Sequence, residues 1–229
     1  MNSILKLVPF LLMSIIFSSC SAKEKDAKKE TDVIAPLAKQ DKTMRTFPGG
    51  SCQDCKLMFL GMPFQFGAID TTAGWFEEGQ KLLIQGTVYS ADQKTPVGDV
   101  ILYFYHTDHT GRYTPVEGML PSARRHGHLR GWVKTGPDGK FALYTNRPAP
   151  YPNEKIEARI HVFVKEPYLD VPYEIDDWIF DDDPLVTKEL RSQLQNRGGN
   201  SILKTTRQND VQVANHDIIL GLNIPGYPN

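Results

Sequence analysis

Cysteine is scarce, with three residues in 229. That is too few for a disulfide framework, and without a second Cys pair a four-cysteine zinc site is excluded. Basic residues are not in excess: 26 Lys and Arg stand against 27 Asp and Glu, for a formal net charge of −1. The electrostatic footprint of a nucleic-acid binder is therefore missing, and no nucleic-acid partner is expected. The apolar run Leu7 to Phe17 is too short to span a bilayer as a mature helix. Helical patterning is rare too. Only Thr187 to Arg197 carries it, with Leu190 and Leu194 one turn apart and Gly198-Gly199 behind them. Chain-breaking residues are plentiful, with 18 Gly and 16 Pro, and 40 % hydrophobic residues suffice for a sizeable core.

The N-terminus reads as an address. Lys6 precedes the apolar run, and Phe17-Ser-Ser-Cys20 resembles a bacterial lipobox, in which the cysteine becomes the lipidated first residue. Residues 1–19 are then a lipoprotein signal peptide and Cys20 the lipidation site. An ordinary cleaved signal peptide is the alternative. Residues 20–45 are rich in Lys, Glu, Asp, Ala and Thr and read as a flexible tether. The expected location is the bacterial cell envelope, outside the cytoplasm, with the membrane as partner through the lipid anchor. Residues 46–80 form an N-terminal loop region containing Cys52 and Cys55. A Cys-x-x-Cys pair serves as a redox couple, as half a metal site or as a local disulfide. The disulfide is favoured here, because no further ligands are nearby and the motif follows Phe-Pro-Gly-Gly rather than a strand.

From Lys81 onward the pattern is strand and turn. Strands are expected at Leu82–Tyr89, Val100–Tyr105, Leu129–Lys134, Phe141–Tyr144, Ala158–Val164, Trp178–Phe180 and Asp217–Leu222. Residues 81–229 are thus read as an all-β β-sandwich with one short helix near 187–197. In the Ala158–Val164 strand, two-residue alternation puts Arg159, His161 and Phe163 on one face and Ile160, Val162 and Val164 on the other.

A polar loop, His106-Thr-Asp-His-Thr-Gly-Arg-Tyr113, follows the apolar strand and, taken alone, is a hydrogen-bonded turn. In order behind it come Arg130-Gly, the turn Asp138-Gly139, Pro148-Ala-Pro-Tyr-Pro152, Arg159-Ile-His161, Ile179-Phe-Asp-Asp-Asp-Pro-Leu185 and Asp217-Ile-Ile-Leu. The ordered set, over about residues 82–224, resembles the intradiol ring-cleavage dioxygenases, the catechol and protocatechuate enzymes. That resemblance implies their β-sandwich and a non-haem Fe(III) cofactor held by two tyrosines and two histidines. It also implies a small aromatic diol and O₂ as substrates, with cleavage between the two oxygenated carbons to a muconate-type diacid. The family's tyrosines fall on Tyr113 and Tyr151, and its second histidine on His161. Tyr151 would be the displaceable ligand and the base. Phenolate is a hard anionic donor suited to ferric iron.

Two positions depart from the family pattern. Ile156 stands where the family has an arginine, and Arg159 where it has the first histidine. A guanidinium offers only donors and cannot be a ligand. Within about 4 Å of Fe(III) it would be repelled by several kcal/mol. Arg159 is instead assigned a catalytic role as an anion partner, and His126 and His128 are the nearest candidates in sequence to complete the ligands. The alternative function is an iron-free, lipid-anchored sandwich acting as an envelope binding or structural module. In that reading Tyr103, Tyr105, Trp132 and Tyr144 form core or a carbohydrate-facing surface.

Overall fold

The computed structural model describes residues 48–50, 52 and 54–228. The expected signal peptide, Cys20 and the tether lie outside the described residues. No helix among the described residues is long and apolar enough to cross a membrane.

Two six-stranded sheets face each other. The first contains β1 (Ile69–Thr71), β2 (Lys81–Tyr89), β5 (Lys140–Asn146), β10 (Thr205–Gln208), β11 (Val211–Asn215) and β12 (Ile218–Ile219). Its order is β1-β5-β2-β11-β10, with β12 also on β2. The second contains β3 (Ile101–His106), β4 (Arg130–Lys134), β6 (Arg159–Lys165), β7 (Tyr173–Glu174), β8 (Trp178–Phe180) and β9 (Ile202–Leu203). Here the order is β4-β3-β6-β8-β9, with β7 on β6. The expected all-β sandwich is observed. Because β1 pairs parallel with β5 from Ile69, the sheet also takes in residues ahead of Lys81.

Between the sheets lies the main core. Leu82 and Ile84 of β2, Leu102 and Phe104 of β3, and Ile160, Val162 and Val164 of β6 are all buried there. Full burial of each such side chain contributes about 1.5–3 kcal/mol. The strands of the second sheet are buried on their outer face as well. Tyr103 and Tyr105 of β3, Trp132 of β4 and Phe163 of β6 pack there with Cys55 and Met58. The cover is the 3-10 turn Cys55–Phe59, held by a hydrogen bond from Trp132 Nε1 to the Met58 carbonyl at 2.6 Å and from Arg130 Nη1 to the Leu60 carbonyl at 2.8 Å. Cys52 and Cys55 are joined as a disulfide at the start of this turn. Tyr103, Tyr105 and Trp132 are therefore core residues, not an exposed carbohydrate platform.

Two sequence expectations shrink. The helix over 187–197 is only α1 (Lys188–Gln193), capped by Thr187 Oγ1 accepting from the Leu190 amide. None of its residues is buried, so no packed face extends it, and intrinsic propensity alone cannot hold a longer helix. The closing strand reduces to β12. The β10–β11 hairpin, turning at Asn209 with φ 53°, was not foreseen, because its residues are mostly polar.

Candidate metal centre

The centre lies on the outer face of the second sheet, where three separate segments meet. The first is the loop after β3. Asp108 organises it: its Oδ1 accepts from Thr110 N at 2.8 Å, Thr110 Oγ1 at 2.6 Å and Arg112 N at 3.1 Å, and its Oδ2 from Thr114 Oγ1 at 2.6 Å. Burial works against the charge of Asp108. The bonds from Thr110, Thr114 and the Arg112 amide outweigh it and hold the pKa at about 2.

The second segment is the proline-framed turn. Thr107 Oγ1 donates to the Ala149 carbonyl at 2.8 Å, and the Ala149 amide donates to the Asp108 carbonyl at 3.2 Å. Gly111 adopts φ +80°, and a Cβ added there would lie 2.0 Å from the Pro150 carbonyl oxygen. Only glycine allows this approach, and it sets Tyr113 beside Tyr151: the two phenol oxygens are 2.7 Å apart.

The third segment is β6, which presents His161 with Nε2 at 2.8 Å from Tyr113 Oη. Behind the ring, Asp177 Oδ1 is 2.8 Å from His161 Nδ1. Strand register brings this about. Pairing of Arg159 with Ile179 and Ile160 with Trp178 continues to His161 opposite Asp177. Burial alone would raise the Asp177 pKa, but His161 and Arg159 hold it below the usual carboxylate range. An ionised carboxylate only accepts, so Nδ1 carries a proton, and in the neutral imidazole Nε2 then presents its lone pair. The Tyr113 hydroxyl then donates to Nε2 and accepts from Tyr151. Burial, followed by the contact with Tyr151, pushes the Tyr113 phenol well above its ordinary range.

The donor set fits a metal ion. Two phenolic oxygens and one imidazole suit a hard, highly charged cation. Tyr105 closes one side by stacking on the His161 ring, with centroids 4.4 Å apart.

The structure thus brings Tyr113, Tyr151 and His161 together and takes Arg159 elsewhere. Arg159 Nη1 donates to Asp177 Oδ2 at 3.0 Å and Nη2 pairs with Glu157. Among the described residues the guanidinium has no hydrogen bond to the three donors; its two terminal nitrogens are taken by carboxylates, while Nε is buried without a partner. The sequence expectation makes it the anion partner of a bound substrate; here its terminal nitrogens face Asp177 and Glu157. His126 does not complete the donor set either: it stacks on the far face of Tyr105, with centroids 3.7 Å apart, and bonds Tyr103 Oη at 2.8 Å. His128 bonds Glu77 and the Thr114 carbonyl. His106 is buried, bonded to the Thr107 carbonyl and Thr145 Oγ1. Asp177, Asp108 and Glu157 were missed from sequence. The first was findable only through the β6–β8 register.

A scan against models of known protein families gives no match. Over 75 residues, 33 % of this chain, the sequence is 33 % identical to chlorocatechol 1,2-dioxygenase from Cupriavidus pinatubonensis, and equally to the enzyme of that name from Burkholderia cepacia. The matched segment spans 28 % of the length of these curated relatives. In fold, the chain is similar to the dioxygenase domain of a dioxygenase–carbohydrate-binding fusion from Streptomyces sp. SirexAA-E. The TM-score is 0.50 at 22 % identity, covering 70 % of this chain and 93 % of that one. It is also similar to 3-chlorocatechol 1,2-dioxygenase from Rhodococcus opacus 1CP, with TM-score 0.50 at 17 % identity over 69 % and 67 % of the two chains.

Proposed function

From a chain that shares the fold of the intradiol ring-cleavage dioxygenases, and a segment of sequence with them, we propose an enzyme of that type. It cleaves a catecholic aromatic diol with O₂ to a ring-opened diacid, and Tyr113, Tyr151 and His161 hold its Fe(III). The carrying observation is that a phenol 38 residues and an imidazole 48 residues further along the chain both come within 2.8 Å of the Tyr113 phenol oxygen.

Bound there, Fe(III) supplies the Lewis acidity that favours a chelated diol in its ionised form and makes the aromatic ring reactive toward O₂. The chain's own groups do the rest. Tyr151 lies on the turn, where the four residues after it are exposed, and its oxygen would accept a proton from an incoming diol hydroxyl. Tyr113 is anchored by the Asp108 loop and stays as the fixed phenolate. His161 keeps Nε2 forward because Asp177 holds Nδ1–H, while Tyr105 shields the ring face from water. We further propose that this domain is carried on a lipid anchor at Cys20, at the bacterial cell envelope.

The test is turnover. Ferric-loaded protein given catechol or a chlorocatechol should consume one O₂ per diol and yield a diacid containing both oxygen atoms, read by mass spectrometry with ¹⁸O₂. Iron-loaded protein that consumes no O₂ and leaves these diols intact overturns the proposal.

A further inference from the structure

Arg159 stands at the first histidine position of the family pattern, and its surroundings give that residue a different task. β6 puts Arg159 and His161 on one face, two residues apart, and both reach the same carboxylate. Asp177 Oδ1 accepts from His161 Nδ1 at 2.8 Å and Asp177 Oδ2 from Arg159 Nη1 at 3.0 Å. On its other side Arg159 pairs with Glu157, whose side chain is 10 % exposed against 28 % for Arg159. Each carboxylate oxygen of Asp177 thus has its own donor. A carboxylate held at one oxygen can swing about its terminal bond; held at both, it cannot.

Two consequences follow. The neutral imidazole has two tautomers, and only the one protonated at Nδ1 offers Nε2 to a metal. Asp177 selects it, as the outer carboxylates of histidine metal sites do. The guanidinium is also not a bare charge beside the centre: carboxylate side chains of Asp177 and Glu157 flank it on both sides. We propose that Arg159 is the positioning residue of the metal-binding imidazole, acting through Asp177, and that the centre uses three protein donors, not four. This rests on the ferric reading of the site given above, and it leaves one more coordination position for diol or water than a four-donor site has.

The experiment has two readouts on the full chain. The first is the ¹⁵N shifts of His161 in metal-free protein, which report the tautomer directly. The second is ferric affinity by titration. Wild type should show the proton on Nδ1. In Asp177→Asn, Arg159 takes the amide oxygen and turns the NH₂ toward Nδ1, so the proton should move to Nε2 and ferric affinity should fall about 10- to 100-fold. Arg159→Met should shift the tautomer toward a mixture and lower affinity about tenfold, with Arg159→Lys restoring most of both. Glu157→Gln, which leaves Arg159 and Asp177 in place, should fold normally and give a smaller loss in the same direction. If Arg159→Met keeps the wild-type tautomer, or binds ferric ion as tightly or more tightly, the positioning role is wrong. If wild type takes up no ferric ion, the metal reading fails by itself, and the tautomer readout still decides whether Arg159 positions His161.

Discussion

Replacing Gly111 by alanine tests how the centre is assembled without touching any donor. Two costs arise. At φ +80° an alanine pays about 1–2 kcal/mol for the left-handed backbone. Its Cβ would also stand 2.0 Å from the Pro150 carbonyl oxygen, when real Cβ contacts essentially never fall under 3.0 Å. The obstacle is backbone, so the loop or the turn must retreat by about 1 Å, at a cost typical of overpacking, about 1–3 kcal/mol. Together these make about 2–5 kcal/mol, or roughly 5–15 °C in Tm for a domain of this size. The retreat separates Tyr113 from Tyr151, now 2.7 Å apart, and a misplacement of that order can cost about 100-fold in a reaction rate. Gly118→Ala is the control. Its φ is +82° and nothing lies within 4 Å of the added Cβ, so it carries the backbone cost alone. Thermal unfolding and ferric titration of both variants separate the terms. Equal Tm values for the two, with Gly111→Ala binding ferric ion like wild type, would refute the claim that this contact assembles the site.

His106 and His216 are buried, and burial lowers both pKa values to about 4. Below pH 6.5 the unfolded chain therefore binds protons that the folded one refuses, and stability falls as pH drops from 6.5 toward 4. At about 1.4 kcal/mol per pH unit for each histidine, these two alone should make the protein about 4 kcal/mol less stable to urea at pH 5 than at pH 7.5, and His126, buried and lowered likewise, adds to the loss. Equal stabilities at the two values would contradict this. Asp108→Ala removes the acceptor of four hydrogen bonds; it should weaken ferric binding at least tenfold while circular dichroism keeps its β signature, and unaltered affinity would show that the loop holds without Asp108. Trp132→Phe leaves the Met58 carbonyl without its indole donor, which should cost about 1–2 kcal/mol in denaturant unfolding; an unchanged midpoint would mean that the cover is held elsewhere.

The sandwich was legible because its strands carry their own signal. Ile160, Val162 and Val164 alternate with Arg159, His161 and Phe163, and the two sets face the main core and the outer face as expected. Where both faces are buried, alternation is silent: nothing in Ile101–His106 says that Tyr103 and Tyr105 turn to an aromatic cluster under the 3-10 turn. Polar edge strands such as Thr205–Gln208 give no apolar period to read. The three donors could be named through resemblance. The fate of Arg159 could not, because it depends on which residue ahead of β8 lies across from His161, and one Asp in Glu174-Ile-Asp-Asp177 looks like any other. The Thr187–Arg197 helix was overread, since Leu190 and Leu194 mimic a stripe that no neighbouring core receives.

The most direct test of the centre is the iron content and visible spectrum of purified protein loaded with ferric salt, beside Tyr113→Phe treated identically. Wild type should hold one iron per chain and show the burgundy charge-transfer band of phenolate bound to Fe(III), and the variant should lose most of that band. A colourless wild type without stoichiometric iron, or a band that survives Tyr113→Phe unchanged, would contradict the claim that Tyr113, Tyr151 and His161 together hold a ferric ion.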